Sequence, residues 1–187
     1  EVLSMPKVFT VAPYVPKMGD YMMAHDDDAL HTREKSLMQC MLNRDDLPEV
    51  RAMVANIAKE ILDAANGHIE VVNEYCRMVP ATLVRKYFGL TGAKRRDLIE
   101  WSYWNQYDTF HNQPFDLLPP EKSQYVIDRH NETSKQLGKF ILELIARRFL
   151  EVKAEEITLS TLVRLDDDIV TRMLRTDYPK QLDFDIK

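Results

Sequence analysis

The residues best placed to do chemistry lie in the run Asp26-Asp27-Asp28-Ala29-Leu30-His31-Thr32-Arg33-Glu34-Lys35-Ser36-Leu37-Met38. Three carboxylates precede a stretch with helical spacing, so Asp27 or Asp28 can cap the orphan N–H groups and complement the positive end of the helix dipole. On the helix that follows, His31 and Lys35 are four apart and share a face, while Leu30, Leu37, Met38 and Met41 point inward. An imidazole one turn from an ammonium makes a two-point donor for a bound anion. The same spacing also suits a packed or solvated helix start, so it names a chemistry without naming a ligand.

Such a pair works only if other elements hold its helix in place. At 187 residues and 21.9 kDa the chain suits one domain, residues 1–187, with enough length for a core. Hydrophobic content of 45% with 29% charged residues is ordinary for a globular protein. A net charge of −5 argues against a nucleic-acid partner, whose binding face concentrates Lys and Arg. Only 5 Gly are present, which disfavours sandwiches, barrels and glycine-rich phosphate loops. Cys40 and Cys76 fall inside amphipathic stretches and read as buried, unreactive thiols in a reducing, cytoplasmic setting. No apolar run approaches the length that spans a bilayer, Glu143 interrupting the strongest, and no secretory signal is evident. The first residue is Glu rather than Met, and the expectation is a piece of something longer.

Helical signals fill the chain. Val8-Phe9-Thr10-Val11 reads as extended, and Pro13 and Pro16 impose an irregular loop through His25. Asp45-Asp46-Leu47-Pro48-Glu49 starts a helix, Val50, Met53, Val54, Ile57, Ala58, Ile61, Leu62 and Ala65 form its buried stripe, and Asn66-Gly67 ends it. His68 to Val72 reads as extended, and a helix then runs from Glu74 to Phe88, bent at Pro80 and stopped by Gly89. Lys94 to Asn112 is helical, with Trp101, Trp104, Tyr107 and Phe110 at spacings of three. Asn112 to Pro120 is a linker. A long helix follows from Glu121 to Val152, with Ile127, Ser134, Leu137, Ile141, Leu144, Ile145 and Phe149 inward and Arg147-Arg148 complementing the dipole near its end. Leu159 to Leu174 gives a last helix. The fold class is all-α.

Two stretches resemble the cytochrome P-450 (haem-thiolate monooxygenase) family. Asp27, His31, Thr32 and Arg33 match the Asp-x-x-x-His-Thr-Arg entry to that family's helix C. Val79-Pro80-Ala81-Thr82-Leu83-Val84-Arg85-Lys86-Tyr87-Phe88-Gly89-Leu90 resembles its helix E and follows at the right distance. The resemblance covers nearly the whole chain but only the helix B to helix H region of a family member. It implies that His31 and Lys35 pair with a haem propionate, Lys35 standing where the family usually has Arg and so donating as a point charge without the bidentate fork. It implies that Met22 and Met23 in the loop before helix C, and Phe110 near the end of helix F, touch substrate; core packing is the alternative for all three. The implied activity of the intact enzyme is insertion of one oxygen atom into a small organic substrate. Its electrons would come from a redox partner, an acidic one meeting the basic face near Arg33 and Arg44.

The family's reactive parts are absent from this stretch. Neither Cys40 nor Cys76 has the glycines of the Phe-x-x-Gly-x-x-x-Cys-x-Gly loop that supplies the iron thiolate, and no Ala/Gly-Gly stretch marks the oxygen-binding helix. Glu74-Tyr75-Cys76-Arg77 satisfies Glu-x-x-Arg by coincidence. The expectation is a fragment that binds no haem by itself, carries no catalytic residue and no metal ligand, and associates with itself through its exposed haem-facing surface. A metal-carboxylate bundle would need Glu-x-x-His pairs on two helices; His25, Asp27, Asp28 and His31 form only one weak cluster. Hydrolysis would need a nucleophile elbow that is missing. The alternative that stays open is a non-enzymatic helical module that binds a partner.

Overall fold

The structure is a computed structural model that describes residues 5, 8–26, 28–158 and 165–175. Its regular elements are helices, and the described residues contain no strand. In chain order they are α1 (Val15–Met18), α2 (Ala29–Met41), α3 (Leu47–Ala64), α4 (Met78–Tyr87), α5 (Arg95–His111), α6 (Pro120–Thr158) and α7 (Ile169–Arg175). The all-α expectation holds. The chain divides into two compact units, one of residues 1–43 and 102–134, the other of residues 44–101 and 135–187.

In the first unit, Asp28 takes the cap of α2: its backbone is extended and its Oδ1 accepts the His31 N–H at 2.8 Å. Asp27 lies outside the described residues. Met41 is buried on this helix and Leu30, Leu37 and Met38 are half-buried, as the spacing requires. Two readings near the start are corrected. Val8 and Phe9 are not extended, because both N–H groups turn back to the Met5 carbonyl. The loop holding Pro13 and Pro16 is largely helical turns, Ala12–Tyr14 and then α1, with a proline in the first turn of each. Proline interrupts a helix interior, yet at the first turn its missing N–H is one that no carbonyl would have satisfied.

In the second unit α3 packs on α4. Pro48 sits in the first turn of α3, and Asn66 and Gly67, both with positive φ, follow its end. Ile57 is buried at the centre of its stripe, but Leu62 is 49% exposed. Val71 and Val72 are not extended: Val71–Cys76 is a π-helical turn, because Glu70 accepts the N–H groups of Val72 and Asn73 at 3.0 and 2.6 Å. Both thiols are free and exposed, which corrects the buried reading.

The register of α6 also differs from the sequence reading. Val126, Thr133, Leu144, Arg148 and Val152 are buried, while Ile145 and Phe149 are exposed. The inward face is thus rotated toward Arg148, which periodicity assigns to water. The helix continues to Thr158, so Arg148 is an interior residue and not a dipole-complementing one. Its guanidinium is held by Asp168 at 3.2 Å and by the Thr171 hydroxyl at 2.8 Å. Asp168 also caps α7 through the Thr171 N–H at 2.8 Å. Residues 165–168 are therefore not helical, and the last predicted helix shrinks to Ile169–Arg175, its residues 159–164 lying outside the described ones. Beside this cap, Arg172 makes a bidentate pair with Asp167 and reaches Asp46 at 2.5 Å, while the Tyr87 hydroxyl donates to Asp46 at 2.9 Å. Arg172 holds both carboxyls below their ordinary range. Burial, with Asp46 beside it, raises the Tyr87 phenol.

Candidate functional site

His31 and Lys35 lie in the first unit. The Asp28 cap fixes where α2 begins, and the helical period then sets Lys35 one turn beyond His31 on the same face. His31 is half-buried, with the Nδ1 side of its ring out of contact with solvent. Lys35 is exposed and has no ion-pair partner among the described residues. An ammonium in that position is available to an anion arriving from solvent.

The described carboxylates in front of the helix, Asp26 and Asp28, are engaged within the protein. Asp26 accepts the Thr10 hydroxyl at 2.5 Å and the Val11 N–H at 3.3 Å, tying the N-terminal loop down. Asp28 uses Oδ1 on the cap and Oδ2 on the His25 ring. Glu34, from α2, accepts the Met22 N–H at 2.7 Å and so ties the turn Met22–Ala24 to the helix. No group of three or more His, Cys, Asp or Glu among the described residues is arranged to hold a metal ion.

Of the residues expected at substrate, Met22 is half-buried on the turn that packs against α2, and Met23 next to it is exposed. Phe110 is on α5, partly exposed, with its ring 5.5 Å from that of Tyr14. The structure joins Phe110 to the Pro13–Pro16 turns, and Met22 to α2.

A second polar cluster of the same unit escaped the sequence reading. Asp108 on α5 is 4% exposed and accepts Lys17 Nζ at 2.6 Å and Asn112 Nδ2 at 2.8 Å, with His130 Nδ1 at 3.9 Å from its other oxygen. On α6 the Ser134 hydroxyl donates to Asn105 at 2.9 Å and lies 3.5 Å from His130 Nε2. A Ser–His–Asp series invites a nucleophilic reading, but Ser134 lies within α6, where the helix consumes the backbone N–H groups that an oxyanion hole needs. The cluster is a structural clasp. The signal that marks it is polar pairing four apart on both helices, Asp108 with Asn112 and His130 with Ser134. Lys17→Met leaves the Asp108 carboxylate buried with only the Asn112 amide and a distant imidazole, and is expected to cost roughly 2 kcal/mol, less than a fully buried pair because Lys17 is partly solvated. Urea unfolding of the variant measures it; a change within about 0.5 kcal/mol, the scatter of ordinary surface changes, would contradict the clasp.

No helix among the described residues is long and apolar enough to cross a membrane. Comparison with known proteins finds no matching family model and no matching solved structure. The chain is similar to the 6-deoxyerythronolide B hydroxylase of Saccharopolyspora erythraea, at 23% identity over 148 residues. That match covers 78% of this chain and 33% of the hydroxylase, so the chain spans about a third of the length of the curated relative it matches.

Proposed function

We propose that residues 1–187 are one helical portion, helix B to helix H, of a haem-thiolate monooxygenase of the cytochrome P-450 type. In it, His31 and Lys35 hold a haem propionate. The observation that carries this reading is α2 itself: capped by Asp28, it presents an imidazole and, one turn on, an exposed ammonium with no ion-pair partner among the described residues. The distant similarity to a hydroxylase over most of the chain supports the same reading.

The side chains here fit part of such a group. A two-point cationic donor suits a carboxylate, and the exposed Lys35 provides one end. The iron thiolate does not come from these residues, since Cys40 and Cys76 lack the flanking glycines, and in this reading it is supplied by other parts of the protein. When bound, the haem supplies the activation of oxygen. This chain's residues bind and orient: His31 and Lys35 neutralise one propionate, and Met22, Met23 and Phe110 offer apolar surface to a small organic substrate. Arg33 and Arg44 offer charge to an acidic electron donor. In this reading the portion alone turns over no substrate.

In the full-length protein, His31→Ala combined with Lys35→Ala is expected to lower haem occupancy after dialysis, by several-fold at least, since two charge-assisted hydrogen bonds are worth roughly 3 kcal/mol together. Unchanged occupancy would remove both residues from the site.

A second reading, a non-enzymatic helical module, draws on the outer face of α6. There Leu142 is 71% and Leu150 69% exposed, and Ile145 and Phe149 complete an apolar stripe. In the haem reading this stripe packs against the rest of the enzyme, and in the isolated chain it drives self-association. Sedimentation of the 187-residue chain over a range of concentrations reads that out. The coding sequence after Lys187 separates the two functions: a Cys loop supports the oxygenase, and a stop codon supports the module.

A further inference from the structure

The best-defined group of titratable side chains that the proposed function leaves unused stands at the entry to α2. His25 follows the turn Met22–Ala24, and its ring lies between two carboxylates. Its Nε2 hydrogen-bonds Asp20, and its Nδ1 lies 2.6 Å from Asp28 Oδ2. A neutral imidazole has one N–H and one lone pair, so it can donate to only one of these carboxylates while turning its lone pair on the other. The imidazolium donates to both. Asp28 meanwhile uses Oδ1 to accept the His31 N–H at 2.8 Å. One carboxylate thus connects the His25 ring to the first turn of the helix that carries His31 and Lys35.

The other charges nearby are engaged elsewhere. Asp26 faces Thr10 and Val11, and Glu34, on the α2 side, faces the Met22 N–H. Among the described residues, Asp20 and Asp28 are the ionisable groups within ion-pair distance of the ring.

We propose that His25, as an imidazolium bridging Asp20 and Asp28, is a positioning residue that locks the start of α2, and that its deprotonation loosens the Asp28 cap on His31. The consequence for a bound propionate rests on the function proposed above; the lock itself does not. The two carboxylates, Asp20 foremost, hold the His25 imidazole above its ordinary value of 6.5. The His31 N–H, and then the His25 ring, hold the Asp28 carboxyl below its ordinary 3.8. A raised histidine contributes stability that is complete below 6.5 and is lost as pH rises through the raised folded value. A depressed aspartate contributes stability that is complete above 3.8 and is lost as pH falls through the depressed value. The lock is therefore closed across mildly acidic pH and opens toward alkaline pH as His25 loses its proton.

Proton NMR of the 187-residue chain tests this. The His25 ring protons are expected to titrate above the ordinary histidine range. The protection factor of the His31 amide should fall roughly threefold or more over the same pH interval, the scale of a weakened helix cap. In Asp20→Asn, which leaves the Asp28 cap intact, both midpoints should move together to lower pH. In His25→Gln the step should vanish. A flat His31 protection factor through the His25 titration would overturn the lock, as would a step that persists in His25→Gln or stays put in Asp20→Asn. Haem occupancy of full-length His25→Gln separates the two claims. Occupancy below that of the parent in mildly acidic buffer supports the link to the propionate. Parental occupancy, with the NMR step present, keeps the lock and removes that link.

Discussion

Gly89→Ala is expected to cost roughly 4 kcal/mol of folding stability, from about 1–2 kcal/mol for a left-handed backbone with a Cβ plus the disruption of a buried ion pair. Gly89 has φ +76°, and a Cβ there would lie 2.1 Å from the Asp168 carboxylate carbon. Asp168 cannot move aside cheaply, because it is 6% exposed, paired with Arg148 and capping α7. The approach is held from the α7 side as well, since the Val170 N–H donates to the Phe88 carbonyl at 3.2 Å. Urea denaturation followed by circular dichroism gives the loss directly. Gly89→Ala with Asp168→Ala should lose less than the sum of the single changes, because the second substitution removes the atoms that the first one meets. Strict additivity, or a loss of Gly89→Ala below about 1 kcal/mol, would mean that the close approach does not exist.

Arg148→Met carries the second large effect. Arg148 is 5% exposed, and its removal strands the Asp168 carboxylate in the interior with the Thr171 N–H as its remaining partner. Removing one member of a buried pair costs roughly 3–5 kcal/mol, whereas replacing both members by uncharged groups of similar volume is nearly neutral. Arg148→Met is thus expected to lose roughly 3 kcal/mol or more, and Arg148→Met with Asp168→Asn to recover most of it, since an asparagine Oδ1 still accepts the Thr171 N–H. If the double variant is no more stable than Arg148→Met, the loss comes from packing and not from an unpaired charge. Equilibrium unfolding of the three proteins decides this.

These two sites also mark where the sequence ceases to be legible. Local rules carried α2 and α3 well: a carboxylate before a periodic run, a proline in a first turn, an Asn-Gly after the last turn. That His31 and Lys35 fall one turn apart on α2 follows from the helix alone, since spacing within one helix is a local matter. Local rules failed where a distant partner decides. Arg148 reads as a dipole-complementing charge because charge is normally excluded from a buried stripe, and its burial is tolerable because Asp168, twenty residues later, the Thr171 hydroxyl and Glu151 take up its guanidinium. Leu142, Ile145, Phe149 and Leu150 offered α6 a competing apolar face, so periodicity alone could not fix its register. Val71 and Val72 have β-branched side chains that favour strands, yet the Glu70 side chain satisfies two N–H groups and starts a helical turn. Lys17 and Asp108 are ninety-one positions apart, and no pattern in the chain pairs them. Pro13 and Pro16 read as breakers, although at a first turn prolines start helices as readily as they stop them.

The cap and the lock describe one device seen from two sides. Asp28 holds the His31 amide with one oxygen and the His25 ring with the other, so one carboxylate links a loop residue to a helix residue six positions on. The same arrangement gives Asp26 and Asp28 separate tasks, with Asp26 tying down Thr10 and Val11 and Asp28 starting the helix.

Whether this chain is part of a haem-thiolate oxygenase, as proposed, is tested most directly by the reduced, carbon-monoxide-bound absorbance spectrum of the full-length gene product. The expected result is the red-shifted Soret band of a thiolate-ligated haem, with its amplitude lowered in His31→Ala, Lys35→Ala. A full-length product whose intact mass equals this chain's and which shows no haem absorbance would contradict it.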